Sequence, residues 1–145
     1  MTYKIIRPFN NKQTDPDNNN SFFINEVCQA IRVDNQVFLR GQVGQSFDGN
    51  LVGIGDPALQ TKQALHNIEI LLNEAGLSLK HIVKMNIYVT DNSYRPQVYK
   101  ILSEIMKGIR YCSTGIQVSA LAKPEMLVEI EAHAIISNQN LINIK

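Results

Sequence analysis

Residues 112–133 read CSTGIQVSALAKPEMLVEIEAH, and the second half of this stretch alternates between two kinds of side chain. Glu129, Glu131 and His133 fall on one side of an extended strand, because successive side chains of a strand point to opposite faces. The other side carries only apolar residues, namely Val128, Ile130, Ala132 and Ala134. Carboxylates repeated along one face of an otherwise apolar strand indicate a functional site.

Strands and turns account for most of the remaining chain. Residues 10–20 are polar and rich in asparagine, which predicts a loop, and Asp34-Asn35 predicts a tight turn between two strands. Another strand is expected to carry Val83, Met85, Ile87 and Val89 on one face. The further strands are expected at residues 3–8, 27–33, 36–41, 114–120 and 127–136.

Two helices are predicted between these strands. Asp56 is a good N-cap, Pro57 suits the first helical position and Gly76 is a natural stop. The second helix has Pro96 in its first turn. Its apolar face is formed by Val98, Ile101, Leu102, Ile105 and Met106.

This order of elements predicts an α+β fold. Two amphipathic helices can cover only one face of a mixed sheet. The other face carries Tyr88, Glu129 and Glu131 beside many apolar residues, and a half-apolar exposed sheet face predicts oligomerisation. A chain of 145 residues fits one domain, which we expect to span residues 1–145.

Composition argues against several classes of partner. The formal net charge is +1 and no run of Lys or Arg exceeds a pair, so neither nucleic acid nor an anionic membrane is an expected partner. No apolar run approaches the roughly 20 residues of a membrane helix. Cys28 and Cys112 are far apart, which predicts reduced thiols and a cytoplasmic protein. The three histidines lack the paired spacing of metal ligands, so no metal site is expected.

The segment at residues 112–133 resembles the C-terminal signature of the RidA family, also called the YjgF or L-PSP family. In that signature a short Arg-Ser/Thr-Cys-Val-type strand, a Leu-Pro-containing turn and a Val-Glu-Ile-Glu strand follow one another. The resemblance extends over nearly the whole chain after the N-terminal loop. It implies a chorismate-mutase-like α+β protomer, a homotrimer and ligand clefts between subunits. It also implies a hydrolase, a deaminase of reactive imines or enamines that needs neither metal nor organic cofactor.

Glu129 is the candidate catalytic residue. The resemblance places it at the first glutamate of the Glu-Ile-Glu pair, which positions or activates water for imine hydrolysis in the family. A carboxylate half-buried in an intersubunit cleft would have a proton affinity suited to that role. The alternative is a salt bridge or a hydrogen-bond acceptor inside the trimer. Glu131 and His133 are interpreted as structural.

Arg40 and Gly41 are candidate substrate-binding residues. Gly41 aligns with the Ser-Gly-Gln turn of RidA-like proteins, where the glycine backbone helps to hold a substrate carboxylate. Arg40 then stands where a serine is usual. The alternative is that Gly41 only makes a turn and that Arg40 points to solvent.

Ser113, Thr114 and Gly115 form a third candidate, also for substrate binding. Two hydroxyls and a glycine can bind an anion through backbone N–H groups, or they can simply begin a strand. By the resemblance, Ser113 falls at the substrate-clamping arginine and Gly115 at a neighbouring cysteine. Serine cannot form the bidentate pair that arginine makes with a carboxylate. The chain is therefore interpreted as a divergent subgroup lacking the deaminase arginine, with Arg40 as the replacement.

The family resemblance, together with the departures from it, leaves three functions open. The first is hydrolysis of a small imine or enamine, with a carboxylate on the ligand if it is a 2-imino acid. The second is a non-enzymatic trimer that binds a small metabolite or another protein. Three departures from the deaminases of the family favour it. The arginine is missing, Val27 stands where many of those deaminases have an aromatic substrate contact, and Pro96 stands where an asparagine contact is usual. The third is an endoribonuclease, against which the near-zero net charge argues.

Overall fold

The computed structural model describes Met1, residues 3–8 and residues 27–137, so the predicted loop at residues 10–20 lies outside the described part. Six strands and two helices make up this part, together with short 3₁₀ turns at Leu79–His81 and Asn92–Tyr94. The strands are β1 Tyr3–Pro8, β2 Cys28–Val33, β3 Gln36–Val43, β4 Ile82–Val89, β5 Cys112–Gln117 and β6 Val128–Ile135. The helices are α1 Pro57–Glu74 and α2 Arg95–Ile105.

The six strands form one mixed sheet in the order β1-β2-β3-β6-β4-β5. Every neighbouring pair is antiparallel except β4 and β5, which run parallel. A parallel pair needs a crossover connection, and α2 provides it between these two strands. The predicted α+β class, with a mixed sheet and two helices, is confirmed.

The first helix begins and ends as the sequence predicts. The Asp56 carboxylate accepts a hydrogen bond of 3.0 Å from the Leu59 N–H, and Pro57 opens the helix. Ala75 is the C-cap, and Gly76 follows with a φ of 80°, which a residue with a side chain rarely adopts. These caps define the two ends of α1.

Both helices pack on the same face of the sheet. The buried side of α1 meets the core-facing side chains of β3 and β6, and α2 packs beside α1. The largest fully buried apolar side chains include Leu65, Ile68, Leu71, Leu72, Ile82, Met85, Ile87, Leu102 and Ile130. Across the described residues, neither helix combines the length and the apolar character that crossing a membrane requires.

The strand β4 departs from the predicted pattern at its start. The sequence predicts Val83 on the same face as Met85, Ile87 and Val89, but Val83 is 38% exposed, whereas Ile82 is 1% exposed. The pairing of β4 with β6 shifts register between Ile82 and Lys84, and this irregularity reverses the alternation there. The prediction for Val83 was therefore wrong, while those for Met85, Ile87 and Val89 are confirmed.

A buried glutamine connects α1 to the segment that leads into β6. Gln60 is fully buried, and its Nε2 donates hydrogen bonds to the carbonyls of Gly53 at 3.1 Å and Glu125 at 2.8 Å. Its Oε1 accepts the N–H of Leu127 at 2.8 Å. One side chain thus satisfies three backbone groups, and it fixes the chain two residues before Glu129.

Candidate functional site

The alternating strand lies where its pattern predicts. In β6 the apolar residues face the helices and are buried, while Glu129, Glu131 and His133 are half-buried on the opposite side. We call this opposite side of the sheet the open face. Its further members from β3, β4 and β5 include Gln36, Phe38, Arg40, Lys84, Asn86, Tyr88 and Thr114.

Glu129 lies directly against the backbone of Gly41. The pairing of β3 with β6 shifts register between Leu39 and Gln42, so Arg40 and Gly41 form an irregularity in the ladder. A Cβ added at Gly41 would stand 1.9 Å from Oε1 of Glu129, which is far inside van der Waals contact. The carboxylate therefore occupies the space that any other residue at position 41 would fill. We call Arg40, Gly41 and Glu129 the carboxylate site.

The surroundings of Glu129 change its proton affinity. Burial raises the pKa of its carboxyl above the ordinary value of 4.5, and the neighbouring charge of Glu131 raises it further. The positive charge of Arg40 acts in the opposite direction and lowers this pKa, without cancelling the effect of burial. A carboxylate with a raised pKa is a stronger base than one in water, and the nearby guanidinium can attract an anionic ligand.

Glu131 is held by two neighbours on β4. Asn86 Nδ2 donates a short hydrogen bond to Glu131 Oε1, and the Tyr88 hydroxyl donates to the same oxygen at 2.8 Å. This bond to Glu131 raises the pKa of Tyr88 because it favours the protonated phenol. Glu131 is thus engaged as a hydrogen-bond acceptor within the chain.

His133 is also engaged within the sheet. Its ring stacks on Phe38 with centroids 4.3 Å apart, and its Nε2 lies 3.0 Å from Oε1 of Gln36. Burial lowers the pKa of His133, so the neutral ring is favoured. In the described part of the chain, no three His, Cys, Asp or Glu side chains converge in a way that could hold a metal ion.

The three predicted residues of β5 do not share one face. Thr114 lies on the open face, where its hydroxyl is 3.4 Å from Nζ of Lys84. Gly115 faces the helices, because a Cβ added there would meet Tyr99 of α2, and Ser113 shares that side by alternation. The structure therefore brings Arg40, Gly41 and Glu129 together and separates Ser113 and Gly115 from them.

Sequence reasoning missed two residues next to Gly115. Arg95, at the start of α2, donates a hydrogen bond of 3.3 Å to the Gly115 carbonyl, and Tyr99 lies one turn further along the same helix. Their spacing in the sequence predicts that both side chains lie on one face of α2. That this face meets Gly115 depends on how α2 packs on β5, for which the sequence carries no local signal.

A comparison with models of protein families identifies the family of this chain. The family model described as endoribonuclease L-PSP matches residues 20–136. The chain belongs to the RidA (YjgF/L-PSP) family.

Relatives within the RidA family include proteins named as deaminases. The 3-aminoacrylate deaminase of Acinetobacter baylyi is 32% identical over 108 residues, which cover 72% of this chain and 82% of that protein. The human 2-iminobutanoate/2-iminopropanoate deaminase is 31% identical over 112 residues, which cover 77% of this chain and 81% of that protein.

A solved structure in the RidA family carries a bound small molecule. The crystal structure of E. coli TdcF with bound serine superimposes with a TM-score of 0.74 and 25% sequence identity. The match covers 92% of this chain and 99% of that one. The described sheet and helices are therefore those of a RidA-family protomer.

Proposed function

We propose that this protein hydrolyses small reactive imines or enamines that carry a carboxylate, releasing ammonia. The observation that supports this proposal is the carboxylate site. There the half-buried Glu129, with its raised pKa, lies against the backbone of Gly41 and near Arg40. The names of the two deaminase relatives support this substrate class. An enamine would first tautomerise to its imine, so one hydrolytic step serves both.

The proposed step needs only water and one carboxylate. Glu129 accepts a proton from a water molecule while the water oxygen attacks the C=N carbon, and it passes that proton to the imine nitrogen, which takes the electron pair of the C=N bond. In the resulting carbinolamine, Glu129 accepts the hydroxyl proton and passes it to the nitrogen, so that the C–N bond breaks, ammonia leaves and a carbonyl forms. The products are an oxo acid and ammonia, the oxo acid being a 2-oxo acid when the substrate is a 2-imino acid, and neither a metal nor an organic cofactor enters the balance.

The carboxylate of the substrate requires a cation. In this proposal Arg40 supplies it and the backbone N–H of Gly41 adds a hydrogen bond, while the Ser113-Thr114-Gly115 strand contributes backbone and hydroxyl groups. This assignment makes the chain a member of a subgroup in which the arginine expected at Ser113 has been replaced. A guanidinium binds a carboxylate through two parallel hydrogen bonds, so the replacement is chemically equivalent.

We also propose that the protein is a homotrimer whose cleft lies between protomers. The carboxylate site lies on the open face, whereas Ser113 and Gly115 face the helices. A ligand that uses both sets needs a second copy of the chain. The exposed apolar side chains Phe38 and Ile116 on the open face, 48% and 45% exposed, fit burial by a neighbouring protomer.

Hydrolysis of 2-iminopropanoate tests the enzymatic proposal. An amino-acid oxidase generates the imine in the cuvette, and semicarbazide traps whatever imine has not been hydrolysed. We expect the protein to reduce the rate of semicarbazone formation. We expect Arg40→Ala to raise KM by about 10- to 100-fold, because a hydrogen bond to a charged group contributes roughly 1.5–3 kcal/mol.

A surface arginine provides the control. Arg110 is exposed in the segment before β5, and Arg110→Ala should leave KM unchanged. Trapping that is unaffected by the wild-type protein would exclude the deaminase activity. Full activity in Arg40→Ala would exclude Arg40 as the clamp while leaving the reaction itself in place.

Light scattering tests the trimer. We expect a mass three times that of the 16.3 kDa chain at micromolar concentration. A monomeric mass would remove the proposed cleft and with it the contribution of Ser113 and Gly115 to the same ligand.

A non-enzymatic ligand-binding trimer is the second candidate. It is favoured by the position of Ser113, which has no guanidinium of its own and lies on the other side of the sheet from Glu129. Thermal shifts with small carboxylates in the absence of imine turnover would support this candidate over the enzyme.

A further inference from the structure

Two side chains of α2 cover Gly115 at the outer strand of the sheet. A Cβ added at Gly115 would stand 2.0 Å from the hydroxyl oxygen of Tyr99 and 3.1 Å from Nη1 of Arg95. The first distance leaves no room for a side chain at position 115 while Tyr99 keeps this position. The absence of a side chain at Gly115 is therefore what allows Tyr99 and Arg95 to reach the strand. We call Arg95, Tyr99 and Gly115 the Gly115 site.

The guanidinium of Arg95 is held in place by two contacts. Its Nη1 donates a hydrogen bond of 3.3 Å to the Gly115 carbonyl, and its Cζ lies 5.1 Å from the centroid of the Tyr99 ring. A cation over an aromatic face is attracted by the ring, and stacking restricts the rotamers of the arginine. The side chain is only partly exposed, so less conformational entropy is lost when a ligand binds.

The charge of Arg95 has no carboxylate partner among the described residues. The one salt bridge found within that part of the chain joins Arg7 to Glu74, far from α2. Arginine carries five N–H donors, and the Gly115 carbonyl uses one of them. The remaining donors can form the paired hydrogen bonds that a carboxylate accepts.

We infer that Arg95 binds the carboxylate of the ligand together with Arg40, so that α2 supplies a second guanidinium on the side of β5 where Ser113 lies. This inference rests on the proposed function, because it assigns a residue to the recognition of the same class of small 2-imino and 2-oxo acids. Ser113 and Gly115 lie on one side of β5, and the Arg95 guanidinium reaches that side. Arg95 and Arg40 lie on opposite faces of the sheet, so they contact one ligand only if it lies between two protomers.

Titration with 2-oxobutanoate tests this inference without requiring turnover. Chemical-shift changes measured by NMR give its Kd for the wild-type protein, Arg95→Gln and Arg95→Lys. We expect Arg95→Gln to weaken binding by about 10- to 100-fold, as the loss of hydrogen bonds to a charged group predicts. Arg95→Lys should weaken it less, because lysine keeps the charge but not the planar fork. Arg110→Gln is the control and should bind as the wild type does.

A second variant alters the Gly115 site without removing the positive charge of Arg95. Gly115→Ala should displace Tyr99 and Arg95, because its Cβ would overlap the Tyr99 hydroxyl. We expect weaker 2-oxobutanoate binding in this variant too, with an unchanged circular dichroism spectrum. If imine hydrolysis is measurable, Arg95→Gln should raise KM and leave kcat nearly unchanged.

The outcomes separate this inference from the proposed function. An unchanged Kd in Arg95→Gln, or the absence of 2-oxobutanoate binding by the wild-type protein, would overturn the assignment of Arg95. The proposed function fails on a different measurement, namely the absence of imine hydrolysis by the wild-type protein. Weakened binding in Arg95→Gln together with no hydrolysis would support Arg95 as a ligand-binding residue of a non-enzymatic protein.

Discussion

Replacing Glu129 with glutamine should lower the rate of imine hydrolysis by about 10²- to 10⁴-fold, the usual contribution of a positioned general base. Glutamine has nearly the same shape, so it still fits against Gly41, where the carboxylate now lies. It cannot accept a proton from water. The measurement is the initial rate of semicarbazide trapping with 2-iminopropanoate, compared between wild-type and variant protein at equal concentration.

The same substitution should not destabilise the protein at neutral pH. The pKa of Glu129 is raised in the folded protein above 4.5, its ordinary value and the one expected in the unfolded chain. The folded state therefore binds this proton more tightly, which stabilises the fold below pH 4.5. This contribution is lost as the pH rises through the folded pKa. Glu129→Gln removes this loss. We therefore expect its Tm near pH 7 to equal or exceed that of the wild type, and its Tm to fall less between acid and neutral pH.

Glu131→Gln is the matched control for the measurement of the hydrolysis rate. Glu131 lies on the same face of β6, and hydrogen bonds from Asn86 and Tyr88 already occupy one of its oxygens. We expect its substitution to change the hydrolysis rate much less than that of Glu129. Equal losses in the two variants would show that the face as a whole, rather than the Glu129 carboxylate, supports activity.

Replacing Gln60 with alanine should destabilise the fold by about 2–6 kcal/mol, since it leaves two backbone polar groups unsatisfied and each costs roughly 1–3 kcal/mol. The variant leaves the Glu125 carbonyl and the Leu127 N–H without the partner that Gln60 provides, while the Gly53 carbonyl keeps its hydrogen bond from the Asp56 N–H. Urea denaturation followed by circular dichroism measures the change in the free energy of unfolding.

Gln97→Ala provides the comparison for this substitution. Gln97 is exposed on α2, so we expect its loss to change the free energy of unfolding by less than about 0.5 kcal/mol, as is usual for surface sites. A change below about 1 kcal/mol in Gln60→Ala would mean that water replaces the glutamine without cost.

Local patterns were sufficient to predict the elements of this fold. The alternation in β6 and the caps of α1 depend on neighbours within a few residues, and both predictions are confirmed. The wrong assignment of Val83 has a different cause, because the irregularity at the start of β4 exists only in relation to β6. The predicted strand at residues 114–120 likewise differs from the observed Cys112–Gln117, since pairing with β4 sets its ends.

Less of the candidate site than of the fold could be predicted from the sequence. The alternation placed Glu129 on a polar face, but its contact with Gly41 depends on the pairing of β3 with β6, which no local pattern specifies. The family resemblance supplied the three members of the carboxylate site. It could not reveal the contact of Arg95 with Gly115, because this contact arises from the packing of α2 on β5.

The strand order has a consequence for the synthesis of the protein. Along the described chain β6 is the last strand, yet it lies between β3 and β4 in the sheet. A ribosome-bound chain that lacks β6 therefore holds two separate strand groups with unpaired edges, and such edges promote aggregation. The strand that joins them also carries Glu129, so the nascent chain gains its proposed catalytic base in the same step that pairs the facing edges of β3 and β4.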